Sequence, residues 1–164
     1  MTHPLPATAD LTITVHGDPA TQGSKQARPI YRGRGDAKVF TGKVAQVESN
    51  KEKHKSWREA VKTAALDAGT GTPIDGPIRA VVVFTLRKPD SAPKRRRTWP
   101  HRKPDIDKLL RSTFDALTDA GVWRDDSRVV DLRTRKVFPG EDELALHTPG
   151  VVIRLWHLDE PAAA

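Results

Sequence analysis

Residues 103–136 read KPDIDKLLRSTFDALTDAGVWRDDSRVVDLRTRK, and the periodicity of this stretch decides how the chain is organised. Ile106, Leu109, Leu110, Thr113, Phe114, Leu117 and Ala120 recur at helical spacing, which predicts a helix with one apolar stripe. Gly121 follows the last apolar position, where a left-handed glycine ends a helix without a Cβ penalty. Beyond it, RVVDLRTRKVF (128–138) has the β-branched content of a strand. A further strand precedes the helix. IRAVVVFTL (78–86) is apolar almost throughout, the pattern of a strand covered on both faces.

Further out, LTITVH (11–16) alternates apolar and polar residues and reads as a strand, as does GVVIRLWHL (150–158). A helix capped by Ser49 or Asn50 is expected to run to about Ala68, with Trp57, Val61, Ala64 and Leu66 as its apolar stripe and Gly69 as its stop. The order β-α-β-α-β-β predicts an α+β fold, a single mixed β-sheet with two packed helices, in one domain over residues 1–164. The last two strands are expected to pair antiparallel across PGEDELALHTP, because short connections favour that arrangement. Glu141, Asp142 and Glu143 in that connection read as a solvated loop.

Two basic loops complete the pattern. Residues 17–50 interleave Gly17, Gly23, Gly33, Gly35 and Gly42 with Lys25, Arg28, Arg32, Arg34, Lys38 and Lys43, with a short strand at KVF. Residues 87–103 carry Arg87, Lys88, Lys94, Arg95, Arg96, Arg97, Arg102 and Lys103, broken by Pro89, Pro93 and Pro100. The net charge of +7 makes a polyanion the natural partner. The 87–103 loop, with Arg32 and Arg34 as a second finger, is expected to contact phosphates, which positions DNA without reading its sequence. Trp99 within the loop reads either as a stacking platform for an unpaired base or as a core anchor. His54, His101 and His157 read as ordinary polar residues.

The absence of cysteine excludes disulfides and thiolate metal sites. No apolar run approaches the roughly 18 residues that cross a bilayer, and the start, MTHPLPATADLT, lacks a secretory pattern. A cytoplasmic protein with no membrane partner and no small-molecule cofactor is the expectation.

The acidic residues allow two readings. Asp105 follows Pro104 at the N-cap position of the predicted helix, and Asp107 sits in its first turn, where the helix dipole favours an anion. Asp107, Arg111, Asp115 and Asp119 step by four and could form a solvated charge ladder. Alternatively, Mg²⁺ is bound by one or two carboxylates together with water and substrate phosphate. Two carboxylates at the mouth of one helix meet part of that need. Asp125 and Asp126, ahead of the next strand, are either a turn or the source of a third ligand.

An Asp-x-Asp opening a helix, a Phe-Asp-Ala-Leu stretch, a Gly-Val-Trp turn and an Asp-Asp pair before a strand follow one another in this order. With the SWREAVKTAA helix (56–65) upstream, the set resembles the RusA-type Holliday junction resolvases. The resemblance implies a homodimeric, Mg²⁺-dependent endonuclease, with Mn²⁺ as a substitute ion. It implies resolution of four-way junctions by paired nicks in DNA recombination and repair, in a bacterial host cell and from a phage or prophage gene. Asp105, Asp107 and Asp126 take the places of the family's catalytic, metal-binding acids. Arg111 stands where the family has a lysine. A guanidinium stabilises charge there but does not readily give up a proton. Two other functions fit the residues: a non-catalytic basic nucleic-acid-binding module, and a broader structure-selective nuclease.

Length constrains where the third acid can act. A helix from 105 to 120 is about 23 Å long, and six extended residues reach about 20 Å. Asp126 therefore rejoins Asp105 within one subunit only if GVWRDD runs back along the helix almost fully extended, pinned by Val122 and Trp123. Otherwise the acid comes from the partner subunit; the same-subunit return is the expectation. Lys136, about 33 Å of strand beyond Asp126, is expected to serve elsewhere.

Overall fold

The computed structural model describes residues 8–22, 25–48, 51–69 and 71–158. Eight elements of regular structure follow in order: β1 (Leu11–His16), β2 (Lys25–Arg32), β3 (Val39–Glu48), α1 (Lys51–Asp67), β4 (Ile78–Thr85), α2 (Ile106–Asp119), β5 (Val129–Val137) and β6 (Gly150–His157). The α+β class and both helices agree with the sequence, while the helix cap expected at Ser49 or Asn50 lies outside the described residues.

A four-stranded sheet in the order β1-β6-β4-β5 forms the centre. β6 runs antiparallel to both β1 and β4, and β4 pairs in parallel with β5. The expected β5–β6 pairing is therefore absent. Burial explains why. β4 and β6 are buried along nearly their whole length, so each needs a neighbour on both sides. β5 is polar and half-exposed, which suits the edge. The connection from β5 to β6 passes β4 instead of closing a hairpin.

A single sheet was also expected, and the structure has two. Within the 17–50 loop, β2 and β3 pair antiparallel as a separate two-stranded sheet. The short strand expected at KVF falls at the start of β3, while the rest of the hairpin carries no periodic pattern. Ile30, Tyr31, Val39, Phe40 and Val44 all remain well exposed, so no alternation of buried and solvated residues marks them.

Both helices pack on one face of the central sheet. Ile78, Ala80, Val82 and Phe84 of β4 share a core with Trp57, Val61 and Ala65 of α1 and Leu109, Ala116 and Leu117 of α2. The opposite face is covered more thinly, by Val81, Val83, Val137 and Trp156 with Leu144 and Ala145 from the β5–β6 connection. Trp57 Nε1 donates to Thr113 Oγ1 at 3.2 Å, and Arg58 pairs with Asp119, so α1 and α2 are tied by polar contacts as well.

The β4–α2–β5 unit sets the geometry of everything that follows. α2 begins beyond the C-terminal end of β4 and returns the chain to the start of β5. Its end is closed by a Schellman arrangement: Gly121, at φ 74°, donates to Thr118 O at 3.0 Å, and Val122 N to Leu117 O at 3.1 Å. Val122 and Trp123 are buried, and Trp123 packs edge-on against Phe114. Among the described residues, no helix is long and apolar enough to cross a membrane.

Candidate active site

Asp105 occupies the N-cap position of α2, with φ −72° and ψ 136°. Its carbonyl accepts the first helical bond from Leu109 N at 3.1 Å, yet its side chain makes no capping bond. Oδ2 lies instead 3.2 Å from Lys108 Nζ. The capping explanation for this carboxylate therefore fails, and a half-exposed acid stands at the positive end of a helix without serving that end. Asp107 follows in the first turn and is exposed.

Asp105 faces a cleft of about 800 Å³ between α2, α1 and the segment after β1. Lys53, Arg87, Lys103 and Lys108 line it, with Asp18 as a second carboxylate. Such a basin attracts an anion and presents it to a carboxylate. Asp107, one residue on from Ile106, is not part of this lining.

Lys136 reaches the same end of the molecule, contrary to its expected placement. Its ammonium donates to the carbonyls of Arg102 at 2.9 Å and Pro104 at 2.8 Å. β5 separates Lys136 from Asp126 and carries it toward Asp105. Lys136 is far from Asp126 because Asp126 is far from Asp105.

Asp126 opens a short 3-10 turn (Asp126–Arg128) that leads into β5. The segment before it does not run back along α2. Trp123 bridges to Ile74, Arg124 N donates to Ile74 O at 3.0 Å, and Arg124 and Arg128 both pair with Asp75. This fixes Asp126 beyond the C-terminal end of a helix of 14 residues, about 21 Å long, whose other end holds Asp105. Among the described residues no three acidic or histidine side chains gather as a metal site. Asp125 accepts from Ser127 N at 2.9 Å, and hydrogen bonds from Ser127 hold its carboxyl below the usual range. It behaves as the turn residue the sequence allowed. Arg111 is exposed, and among the described residues it forms no ion pair with Asp107 or Asp115, so the charge ladder is not built.

The basic loops divide into fasteners and free surface. Lys88 is largely buried and pairs with Glu141, whose Oε2 also accepts from Thr98 N at 3.0 Å. Asp142, 9% exposed, is held by Arg135 at 2.8 Å and lies 3.8 Å from Arg97. The 141–142 acids are thus not solvated. Burial raises the pKa of each, and it is outweighed by the hydrogen bonds of Lys88 and Thr98 on Glu141 and of Arg135 on Asp142, leaving both lowered. Arg87, Lys94, Arg95, Arg96, Arg102 and Lys103 remain exposed around this staple, as do Arg32 and Arg34 on the β2–β3 hairpin. Trp99 is 56% exposed, which removes the core-anchor reading. The Arg97 guanidinium lies over its ring at 4.3 Å.

Comparison with known proteins decides the family. The model for endodeoxyribonuclease RusA matches residues 24–155. The chain belongs to the RusA family. Among curated relatives, the crossover junction endodeoxyribonuclease RusA of Escherichia coli K12 is 38% identical over 77 residues, which is 47% of this chain and 51% of that protein. The chain thus spans about half the length of that relative. The crossover junction endodeoxyribonuclease of Enterobacteria phage 82 is 53% identical over 36 residues, 22% of this chain and 30% of the phage protein. YqaN of Bacillus subtilis is 29% identical over 140 residues, covering 80% of this chain and 89% of YqaN. The RusA match takes in the hairpin, both helices and the staple.

Five contributors escaped the sequence. Lys136 and Glu141 act through partners distant in the chain, and Asp142 through Arg135 on the neighbouring strand; no local signal marks them. Asp18 and Lys53 reach the cleft only because β1 and α1 pack beside α2.

Proposed function

We propose that this RusA-family chain is a metal-dependent endonuclease that, as a homodimer, resolves four-way DNA junctions by paired nicks. The observation that carries the reading is Asp105: a carboxylate at a helix start that caps nothing and faces a cleft lined by four cations.

The donor set fits a hard cation. Asp105 and Asp107 offer oxygen ligands of the kind Mg²⁺ accepts, with water and phosphate completing its shell. Bound there, Mg²⁺ or Mn²⁺ would supply Lewis-acid polarisation of a phosphate and acidification of a water. The chain's own residues do the rest. Lys53, Arg87 and Lys103 draw the phosphate backbone into the cleft. Lys108 holds the Asp105 carboxylate in place, and Lys136 fixes the peptide ahead of it. Arg111, beyond the first turn of α2, adds fixed positive charge for the developing anion. Because Asp126 stands at the far end of α2, the third acid is supplied by Asp126 of the partner subunit. Two-fold symmetry then provides two such sites, one for each strand cut.

The absence of a three-acid cluster among the described residues of one protomer favours a second reading, a binding module without catalysis. Purified protein incubated with a synthetic mobile four-way junction, in Mg²⁺ and in EDTA, separates the two. The nuclease reading expects symmetric nicks in Mg²⁺ alone, whereas the module leaves the junction intact in both. Flap and linear duplex substrates run alongside distinguish a resolvase from a broader structure-selective nuclease.

A further inference from the structure

We propose that a second cleft, adjoining that of Asp105, receives a single unpaired nucleobase of the strand being cut. This rests on the nuclease reading above and names the group that the chain grips beside the scissile phosphate.

The second cleft encloses about 510 Å³ and shares Asp18, Pro19, Arg87, Lys103 and Pro104 with the first, so a strand entering one is continuous with the other. Leu86 and Phe138 lie in its lining, both nearly buried, together with prolines of the 87–103 loop. Trp99 lines it as well. The other three tryptophans, Trp57, Trp123 and Trp156, are 1–4% exposed, whereas Trp99 is 56% exposed. An indole left this open is out of place in a core and well placed to stack on a flat ligand.

The platform is held in shape before any ligand arrives. Arg97 lies over the Trp99 ring, Glu141 clasps the backbone of Thr98 and the ammonium of Lys88, and Asp142 sits near Arg97. Preorganisation of this kind reduces the ordering cost of binding. Thr98 Oγ1 is shut off from solvent and has no hydrogen-bond partner among the described residues, leaving one unmet polar group in a residue of the cleft wall.

Charge selects the occupant. Arg87, Arg96, Arg102 and Lys103 surround the apolar interior, an arrangement that suits an aromatic base flanked by its phosphates. A second copy of this chain, at net charge +7, would meet like charge there. A base within intact duplex cannot enter. At a branch point unstacking is less costly, so the slot favours junctions over plain duplex.

An abasic-site cycle in EDTA tests this by binding alone. Affinity is measured for four-way junctions that are intact or carry single abasic residues at the branch-flanking positions. Wild type is expected to lose about tenfold in affinity at one such position. Trp99→Ala is expected to bind the intact junction about tenfold more weakly and to be indifferent to the abasic residue, while Trp99→Phe behaves as wild type. Tryptophan emission should be quenched on junction binding in wild type and not in Trp99→Ala. The proposal is overturned if wild type tolerates every abasic position, or if Trp99→Ala retains the abasic sensitivity. Loss of the nuclease reading would show separately, as junctions left uncut by wild type in Mg²⁺.

Discussion

Lys136 and Pro104 are joined by a hydrogen bond of 2.8 Å from the lysine ammonium to the carbonyl that precedes Asp105. The same ammonium holds the carbonyl of Arg102. A side chain from the end of β5 thereby fixes the entry of α2, and with it the position of the carboxylate to which the chemistry is assigned. Misplacement by about 1 Å can cost a hundredfold in rate. Lys136→Met is therefore expected to lower junction cleavage at saturating DNA by about ten- to a hundredfold, with affinity nearly unchanged. Single-turnover cleavage beside a binding titration checks it.

Glu141 and Asp142 give the basic loop a pH-dependent fastening. Both carboxyls have lowered pKa values in the folded chain. Their contribution is fully present above the unfolded values, about 4, and is lost as pH falls through the lower folded values. Glu141→Gln removes the ionic partner of Lys88 and is expected to destabilise by about 1.5–3 kcal/mol at neutral pH. Thermal melts should show the gap between variant and wild type narrowing as the pH drops below about 4.

The exposed and buried lysines of the 87–103 segment should separate in a salt titration. Lys94 is exposed, whereas Lys88 is spent on Glu141. Each phosphate contact contributes about −0.9 to the slope of log affinity against log salt. Lys94→Gln is expected to reduce the slope by up to about that amount. Lys88→Gln should leave the slope unchanged and lower the melting temperature.

The central sheet and both helices were legible because burial is written into their residues, as near-continuous apolar runs in β4 and β6 and as a periodic stripe in α2. IRAVVVFTL and the 106–120 stripe record their burial directly. Beyond KVF the β2–β3 hairpin left no such record, since Tyr31 and Phe40 are exposed despite pairing across the strands. The site was half legible. Asp105 and Asp107 are local, one residue apart at a helix start. What Asp126, Lys136 and Glu141 do depends on strand order, and β5 pairs with β4 where chain connectivity pointed to β6. Charge runs alone could not tell Lys88 from Lys94.

The separation of Asp126 from Asp105 along α2 makes a prediction about subunits. When Asp105→Asn and Asp126→Asn proteins are mixed and allowed to exchange, the heterodimer holds one complete site if the acids meet across the interface. Single-strand nicking should then reappear in the mixture although each parent is inactive. Continued inactivity, with exchange verified by a size-tagged subunit, would assign both acids to one protomer.

The most direct measurement is junction binding and junction cleavage by Asp105→Asn and Asp107→Asn, each compared with wild type in Mg²⁺ and in EDTA. Removing a carboxylate relieves repulsion of phosphate, so binding should be equal or tighter. Cleavage should fall by at least about a hundredfold, corresponding to several kcal/mol of lost transition-state stabilisation. Variants that bind the junction and cut it at the wild-type rate in Mg²⁺ would contradict the assignment of the chemistry to the start of α2.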